Sequence, residues 1–417
     1  MSLPTKNPAV AIVGAGPSGL KAAADLAAKL KGDVLVLDRE SAPGGIPRHC
    51  FHPGYGIRDL RRFISGPRYA RVLADRASAA GADICTNAMV TGWTPEGALE
   101  VASPQGRFQV AAQATILATG ARERPRAARR IPGDRPAGVL TTGHLQNLVH
   151  LHHQKVGNRA VIVGSELVSW SAALTLRHAG CTTVLMTTQY PAPDVYRLFS
   201  TVGSLYFGTK VATRTRVVRV IGRERVSGVE IEDTITGNRR VVECDTVVFT
   251  GDWIPDHELA RTAGITLDPH TLGPAVDTRL RTERDAVFAI GNLVHPVDTA
   301  DVAALDGAHV APQVLDYLDR RHPRPQTVEL QPGDGFSWVS PSRFQPGDVA
   351  PARRLLLLWP DQGHNRPTVI ATQQGREIGR LTTWWPSAPG RVFRVGYSLL
   401  DNAQATHGPV TIQIRRR

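Results

Sequence analysis

Residues 9–40 read AVAIVGAGPSGLKAAADLAAKLKGDVLVLDRE, and this stretch decides the fold. An apolar run, Ala9–Val13, meets the triad Gly14, Gly16 and Gly19, and an Ala/Leu-rich helical segment follows. A second apolar run, Val34 to Leu37, ends at Asp38, 19 positions beyond Gly19. Each glycine has a physical job in a strand–turn–helix that binds a dinucleotide. The first makes the tight turn, the second lets the backbone approach a diphosphate, and the third packs helix against strand. The diphosphate then meets the positive end of the helix. The acid at the end of the second strand is placed to take ribose hydroxyls. Strand, turn, helix, strand and acid come in the required order, which separates this match from a lone GxGxxG.

Outward from that stretch, the 417 residues suggest about three domains at ordinary domain sizes. Hydrophobic residues make up 42% and charged residues 21%, the balance of a soluble globular chain. No apolar run reaches the length of a membrane span, and no signal-peptide pattern precedes the first strand. A cytoplasmic protein without membrane insertion is the expectation. Lys and Arg exceed Asp and Glu by 49 − 37 = 12. The basic residues are scattered and form no nucleic-acid-binding motif, so we expect a solvated Arg-rich surface and no nucleic acid. Cys50, Cys85, Cys181 and Cys244 stand far apart and make no CxxC, so no zinc, iron–sulfur or redox-disulfide motif is expected within the chain. His49, Cys50 and His52 crowd a Gly/Pro loop without a fourth ligand, and no metal is expected there.

Three later stretches choose among dinucleotides. Ser41-Ala-Pro-Gly44-Gly45 follows the acid, Thr115-Ile-Leu-Ala-Thr119-Gly120 is a strand ending in small residues, and Ala286-Val-Phe-Ala-Ile-Gly291-Asn292 is another. Together they resemble the motifs of two-dinucleotide-domain flavoproteins, the broad family that includes the pyridine nucleotide–disulfide reductases. The phrases GGIPRHCFHPGYGI, SGPRYARVLADRA, ATGARERPRAARRIPGDRPAGVLTTG and DTVVFTGDWIPDHELARTAGI are more specific. They resemble flavoprotein subunits associated with glycerol-3-phosphate dehydrogenase, opine and hydroxyproline dehydrogenases, hydrogen cyanide synthase and sarcosine oxidase. The resemblance covers about residues 8–322, roughly three quarters of the chain.

That resemblance implies an α/β fold with two Rossmann-like FAD/NAD(P)-binding domains. The FAD-binding domain takes residues 1–124 and 251–322, and an NAD(P)-binding-like domain takes 125–250. FAD would be held by Gly14, Gly16, Pro17, Ser18, Gly19, Asp38, Arg39, Gly44, Gly45, Thr119, Gly120, Gly291, Asn292 and Asp298. Asn292 stands where the family carries Asp, which removes one negative charge near the cofactor. A helix running to about Asp319, N-capped by Asp298 or Thr299, would point at the flavin pyrimidine ring. His295 lies just before it as a donor or proton relay, or simply as a packed loop histidine. The family's CxxxxC is absent: its positions hold Pro47 and His52, with Cys50 alone between them, so disulfide relay is not expected. Cys50 and His52, with His295, are catalytic candidates by position. Cys50 has a plainer reading as a small buried side chain.

The second fold begins at Arg159–Val163 and Gly164, but Glu166 and Ser169 replace the second and third glycines. A carboxylate where the backbone should approach a diphosphate repels it. The next strand, Val184 to Thr188, ends without the acid or arginine that a nicotinamide cofactor's ribose end requires. A scaffold without nicotinamide chemistry is expected, with NAD(P)H use left as the alternative.

The resemblance further implies one component of a multi-component dehydrogenase for a small amine, amino acid or polyol. Its partners would be a [2Fe–2S] protein and a second flavoprotein subunit, in a hetero-oligomer. Arg122, Arg124, Arg126, Arg129 and Arg130 could dock an acidic ferredoxin-like surface, or form a solvated loop. An NAD(P)H-dependent reductase feeding a ferredoxin-like acceptor, and a non-catalytic FAD-containing scaffold, are the rival readings. Beyond residue 323, short alternating runs between Pro-rich linkers read as a small C-terminal β-sandwich. Trp384 and Trp385 there suit either an interface or a core.

Overall fold

The computed structural model describes residues 3–31, 33–195, 197–320 and 327–415. The expected boundary at 322/323 lies outside them. The chain divides into two compact units, one comprising 1–48, 53–121 and 255–417, the other 49–52 and 122–254.

The first unit is built on a parallel five-stranded sheet in the order Val287–Ala289, Ala114–Leu117, Val10–Val13, Val34–Leu37, Asp83–Cys85. Its four apolar strands are buried along their whole length. That is why they read as unbroken apolar runs rather than alternating ones: helices cover both faces of a parallel sheet. The helix Pro17–Ala27 buries Leu20, Ala22, Ala23 and Leu26. It lies close along the late helix Ala300–Arg320, because Gly307 has no side chain there; a Cβ would fall 2.3 Å from the Ser18 carbonyl oxygen. A four-stranded sheet of Thr5–Lys6, Gly106–Val110, Leu99–Ser103 and Met89–Trp93 completes the α/β part.

The same unit contains the C-terminal strands. A sheet of Arg343–Phe344, Val328–Pro332, Val410–Ile414, Thr368–Gln373 and Arg376–Thr382 faces one of Phe336–Ser340, Leu355–Pro360 and Phe393–Gly396. Leu330, Val369 and Ile412 from the first and Phe336, Leu358 and Phe393 from the second share one apolar core, the arrangement of a sandwich. Trp384 and Trp385 are exposed, so they are not core residues; the Arg366 guanidinium lies over the Trp384 ring.

The second unit repeats the doubly wound plan. Its parallel sheet runs Val139–Thr141, Thr246–Phe249, Arg159–Val163, Thr182–Thr187, Val211–Ala212. The helix Leu167–His178 follows the central strand, and a three-stranded antiparallel sheet, Thr215–Ile221 to Arg239–Glu243, extends the unit. Among the described residues no helix is long and apolar enough to cross a membrane.

Candidate cofactor and redox site

In the first unit the glycine turn is tightly determined. Gly14 has φ +108°, and a Cβ there would lie 2.4 Å from the Ala118 carbonyl oxygen. At Gly19 a Cβ would lie 2.0 Å from the Gly14 carbonyl oxygen. Gly16 differs: a Cβ at that position meets no atom of the chain within 4 Å, although the position begins a helix in a crowded core. Gly16 is the N-cap, Pro17 follows it, and no side chain caps the helix. No side chain caps the Ser18 and Gly19 amides of the first turn, and the space beside Gly16 is open, an arrangement suited to a diphosphate.

The surrounding elements shape that space. Asp38 accepts hydrogen bonds from the Ala15 amide at 2.6 Å and the Glu40 amide at 2.8 Å, and burial pushes its pKa up. Gly45 brings its backbone so close that a Cβ would sit 2.9 Å from the Gly16 Cα. Gly44 donates to the Ala15 carbonyl at 2.8 Å. Gly291 converges on Ser18, whose Oγ a Cβ at Gly291 would approach to 2.6 Å. Gly120 has φ +75° beside open space, and the Thr119 hydroxyl donates to the Asp256 carbonyl at 2.7 Å. Arg39 reaches the Asp256 carboxylate at 3.4 Å.

Three expected residues have other partners. Asn292 uses its amide to bridge the Asp298 backbone, Nδ2–H to the carbonyl and Oδ1 from the N–H, both at 3.1 Å. The Asp298 carboxylate is paired with Arg394 of the C-terminal sandwich. The late helix starts at Ala300, which puts Thr299 rather than Asp298 at the N-cap; the Thr299 carbonyl accepts from the Val302 and Ala303 amides at 3.0 Å. His295 is 2% exposed and donates through Nε2 to Asp306 Oδ2 at 2.7 Å, and the same oxygen accepts from the Gly291 amide. Burial opposes the charged imidazole, but the facing Asp306 carboxylate outweighs it and holds the His295 pKa above its ordinary value.

The segment 49–52 folds with the second unit. The buried Cys50 thiol donates to Gln146 Oε1 at 3.1 Å, and His49 Nδ1 lies 3.3 Å from the same oxygen. Gln146 donates onward to Ser171, and His150 donates to the His49 carbonyl at 2.6 Å. His150 also lies beside His178 and stacks on Phe51, so it belongs to this network rather than to a bare surface. No group of side chains among the described residues is arranged to hold a metal ion, and none of the four cysteines is disulfide-bonded.

At the second glycine turn the space is filled by acids. A Cβ on Gly164 would overlap the Thr250 hydroxyl, and the fully buried Ser169 hydroxyl bonds to Thr250 at 2.7 Å. Glu166 curls back to accept from the Ser165 amide at 2.9 Å, while its Oε1 is buried against Gly251. Asp194, from the loop after Thr182–Thr187, accepts from the Ser165 hydroxyl at 2.6 Å and the Thr188 hydroxyl at 3.1 Å. Burial, reinforced by Glu166, raises Asp194 to about 6. Glu123 accepts from the Gly143 amide at 2.8 Å, and burial raises it to about 7, Glu166 again adding to the rise. Neither Glu123 nor Asp194 stands out in the sequence. The acid in PAPD, within the loop where a nicotinamide site needs a basic or ribose-binding residue, is the one available signal.

The arginine-rich stretch is largely turned inward. Arg126 donates to the carbonyls of Ile131, Pro132 and Asp134. Arg129 donates to those of Arg124, Thr250 and Gly251, and Arg124 lies 3.4 Å from Asp252. Only Arg122 and Arg130 of the five are exposed.

Comparison with known proteins agrees with this geometry. Residues 8–307 match the pyridine nucleotide-disulphide oxidoreductase family. The chain is 25% identical over 337 residues to an opine oxidase subunit of Rhizobium meliloti, a match that covers 73% of this chain and 61% of that one. It is 27% identical over 323 residues to thioredoxin reductase of Treponema pallidum, 74% of this chain and 97% of that one. The chain thus spans less than two thirds of the length of the opine oxidase relative. Among solved structures, T. acidophilum thioredoxin reductase superposes with a TM-score of 0.63 at 21% identity, covering 76% of this chain and 99% of that one. L-proline dehydrogenase from P. horikoshii superposes at 0.53 and 17%, covering 76% and 57%. With its matched stretch, its Rossmann-like sheets and its open glycine turn, this chain belongs to the pyridine nucleotide-disulphide oxidoreductase family, a family of FAD-binding flavoproteins.

Proposed function

We propose that this chain is the FAD-carrying component of a multi-component dehydrogenase that oxidises a small amine, amino acid or polyol and passes the electrons to a partner. One contrast carries the reading: the first glycine turn opens onto empty space at Gly16, whereas the second is occupied by Glu166, with Asp194 bonded across it. The chain keeps one dinucleotide site and closes the other.

In this reading the amides after Gly16 and the backbone at Gly14, Gly45 and Gly120 line the diphosphate and flavin side. Asp38 takes the ribose hydroxyls, and Ser18, Gly291 and Asn292 fix the late strand against the cofactor. Bound FAD supplies the two-electron acceptor. Cys50 and His52 serve packing and hydrogen bonding within the second unit rather than chemistry. Electrons leave through a [2Fe–2S] protein and a second flavoprotein subunit, since no cysteine pair here can carry them. Similarity to the opine oxidase subunits supports the multi-subunit setting.

The test is anaerobic mixing of the purified flavoprotein with NADH and then NADPH. The expected result is no loss of the oxidised-flavin absorbance, while dithionite abolishes it. Rapid bleaching by either nucleotide would replace this reading with that of an NAD(P)H-dependent reductase feeding a ferredoxin-like acceptor. Substrate is then sought among amines, amino acids and polyols with the partner subunits present. A flavin that no such donor reduces in their presence would leave a non-catalytic scaffold.

A further inference from the structure

One carboxylate oxygen holds both ends of the turn that follows the late strand Val287–Ala289. The turn runs from Gly291 to His295, and its backbone closes on itself: the Val294 and His295 amides donate to the Gly291 carbonyl at 2.8 and 3.3 Å. Asp306, in the second turn of the late helix Ala300–Arg320, offers Oδ2 to the Gly291 amide at 3.0 Å and to His295 Nε2–H at 2.7 Å. His295 is 2% and Asp306 5% exposed, and Gly291 is buried with them. The Gly291 N–H is thus engaged inside the protein. This glycine serves a cofactor by the route of its backbone and not by its amide.

That route is constrained from a second side. A Cβ on Gly291 would lie 2.6 Å from Ser18 Oγ and 3.6 Å from the Ala303 Cβ, and a Cβ on Gly307 would lie 2.3 Å from the Ser18 carbonyl oxygen. The Gly291 turn, the second turn of the late helix and the first turn of Pro17–Ala27 therefore meet at Ser18, next to the open space at Gly16. Two absent side chains let the three segments approach, yet a glycine backbone has wide freedom and sets no direction by itself. The hydrogen bonds supply the direction. Packing alone does not call for them, because apolar residues of like volume often replace a buried charged pair without loss of stability. What an apolar pair cannot do is accept the Gly291 N–H, and a buried backbone donor needs an acceptor.

We propose that Asp306 and His295 are positioning residues for FAD, fixing the Gly291 turn against Ser18 so that the loop after the late strand lines the cofactor. The inference rests on the reading above that Gly291 and Asn292 lie against the cofactor, and it adds which groups place them. Asn292 belongs to the same arrangement, since its side chain bridges the Asp298 backbone and closes the far end of the loop. A loop held in its binding geometry loses less freedom when the ligand arrives, so the two residues act on affinity.

The test titrates the full chain, stripped of cofactor, with FAD, and uses ADP as a second probe that carries the diphosphate without the flavin. Asp306→Ala and His295→Phe should each weaken FAD binding by about tenfold, the effect of one lost hydrogen bond. Asp306→Asn keeps an oxygen for both donors, and His295→Gln keeps an N–H for Asp306; both should stay within about threefold of the wild type. ADP affinity should hold in all four variants, because Gly14, Gly16 and Asp38 are untouched. Unchanged FAD affinity in Asp306→Ala and His295→Phe overturns the proposal. So does equal damage in the conservative pair, which would make the hydrogen bonds incidental. Parallel loss of FAD and ADP binding, with a lowered unfolding midpoint of the apoprotein, also overturns it, since the two residues would then only hold the fold. A wild type that takes up no FAD overturns the cofactor reading together with this inference, whereas the preceding results, in a wild type that binds, overturn the inference alone.

Discussion

A methyl group added at Gly16 would touch no atom of the chain within 4 Å, and the backbone there, φ −78°, suits any residue. Gly16→Ala should therefore fold with the unfolding midpoint of the cofactor-free wild type, yet lose FAD affinity by at least about tenfold. Gly19→Ala, whose Cβ would lie 2.0 Å from the Gly14 carbonyl, should instead destabilise the fold itself. Spectroscopic FAD content and apoprotein melting separate the two; full FAD retention in Gly16→Ala would remove the cradle. Glu123 makes a second prediction. Folding raises its pKa from 4.5 to about 7 through burial. Its contribution to stability is complete below about pH 4.5 and is lost as pH rises through about 7, because the buried carboxyl must then ionise. Glu123→Gln keeps the acceptor for the Gly143 amide and removes that loss. At about pH 8 it should be more stable than the wild type by about 2–3 kcal/mol, with a flatter pH profile of the unfolding midpoint. Equal midpoints at that pH would count against a buried, strained carboxyl.

Among elements, the late helix Ala300–Arg320 depends most on its neighbours. Its first turn carries Asp301 and follows Asp298, and acids at a helix N-terminus are favourable by themselves. The Asp298 side chain, however, is 4% exposed, so its charge is tolerated through Arg394 of the strand Phe393–Gly396. Removing one partner of a buried pair leaves the other charge stranded, at a cost of about 3–5 kcal/mol. Arg394→Leu should lower the unfolding midpoint sharply, and the Asp298→Asn, Arg394→Leu pair should recover most of the loss. Strictly additive effects in that cycle would show that the two side chains do not interact. The helix itself was legible in the sequence from its Ala/Val/Leu pattern after Asp298-Thr299. Its tie to a strand almost a hundred residues later was not, since a single arginine in an alternating strand carries no local sign of its partner.

At the scale of the whole molecule, the chain has a reductase-like fold, and its four cysteines form no disulfide. Cys50, Cys181 and Cys244 are buried and Cys85 is partly exposed. Burial pushes the Cys181 and Cys244 thiols up to about 12 and 11, where the reactive thiolate is scarce. A thiol reagent should therefore titrate a single cysteine in the native protein and all four after denaturation. Several fast-reacting thiols in the native state would contradict the fold described here. Within the arginine-rich stretch, Arg126 and Arg129 spend their donors on backbone carbonyls of their own unit, while Arg122 and Arg130 are exposed.

By itself the sequence determined the two Rossmann-like sheets and the glycine turn at Gly14 to Gly19, and it put Glu166 and Ser169 where the second turn would carry glycines. Its short alternating runs beyond residue 323 pointed to C-terminal β-strands such as Thr368–Gln373 and Val410–Ile414. These features are local, because turn sterics and hydrophobic period act over a few neighbouring residues. Tertiary structure alone decided which charges meet. It set His295 against Asp306, Asp298 against Arg394, Cys50 against Gln146 and Asp194 across the second turn. The physical reason is that a buried polar group takes whichever partner the packed chain brings within hydrogen-bond reach, and that partner is fixed by topology rather than by spacing.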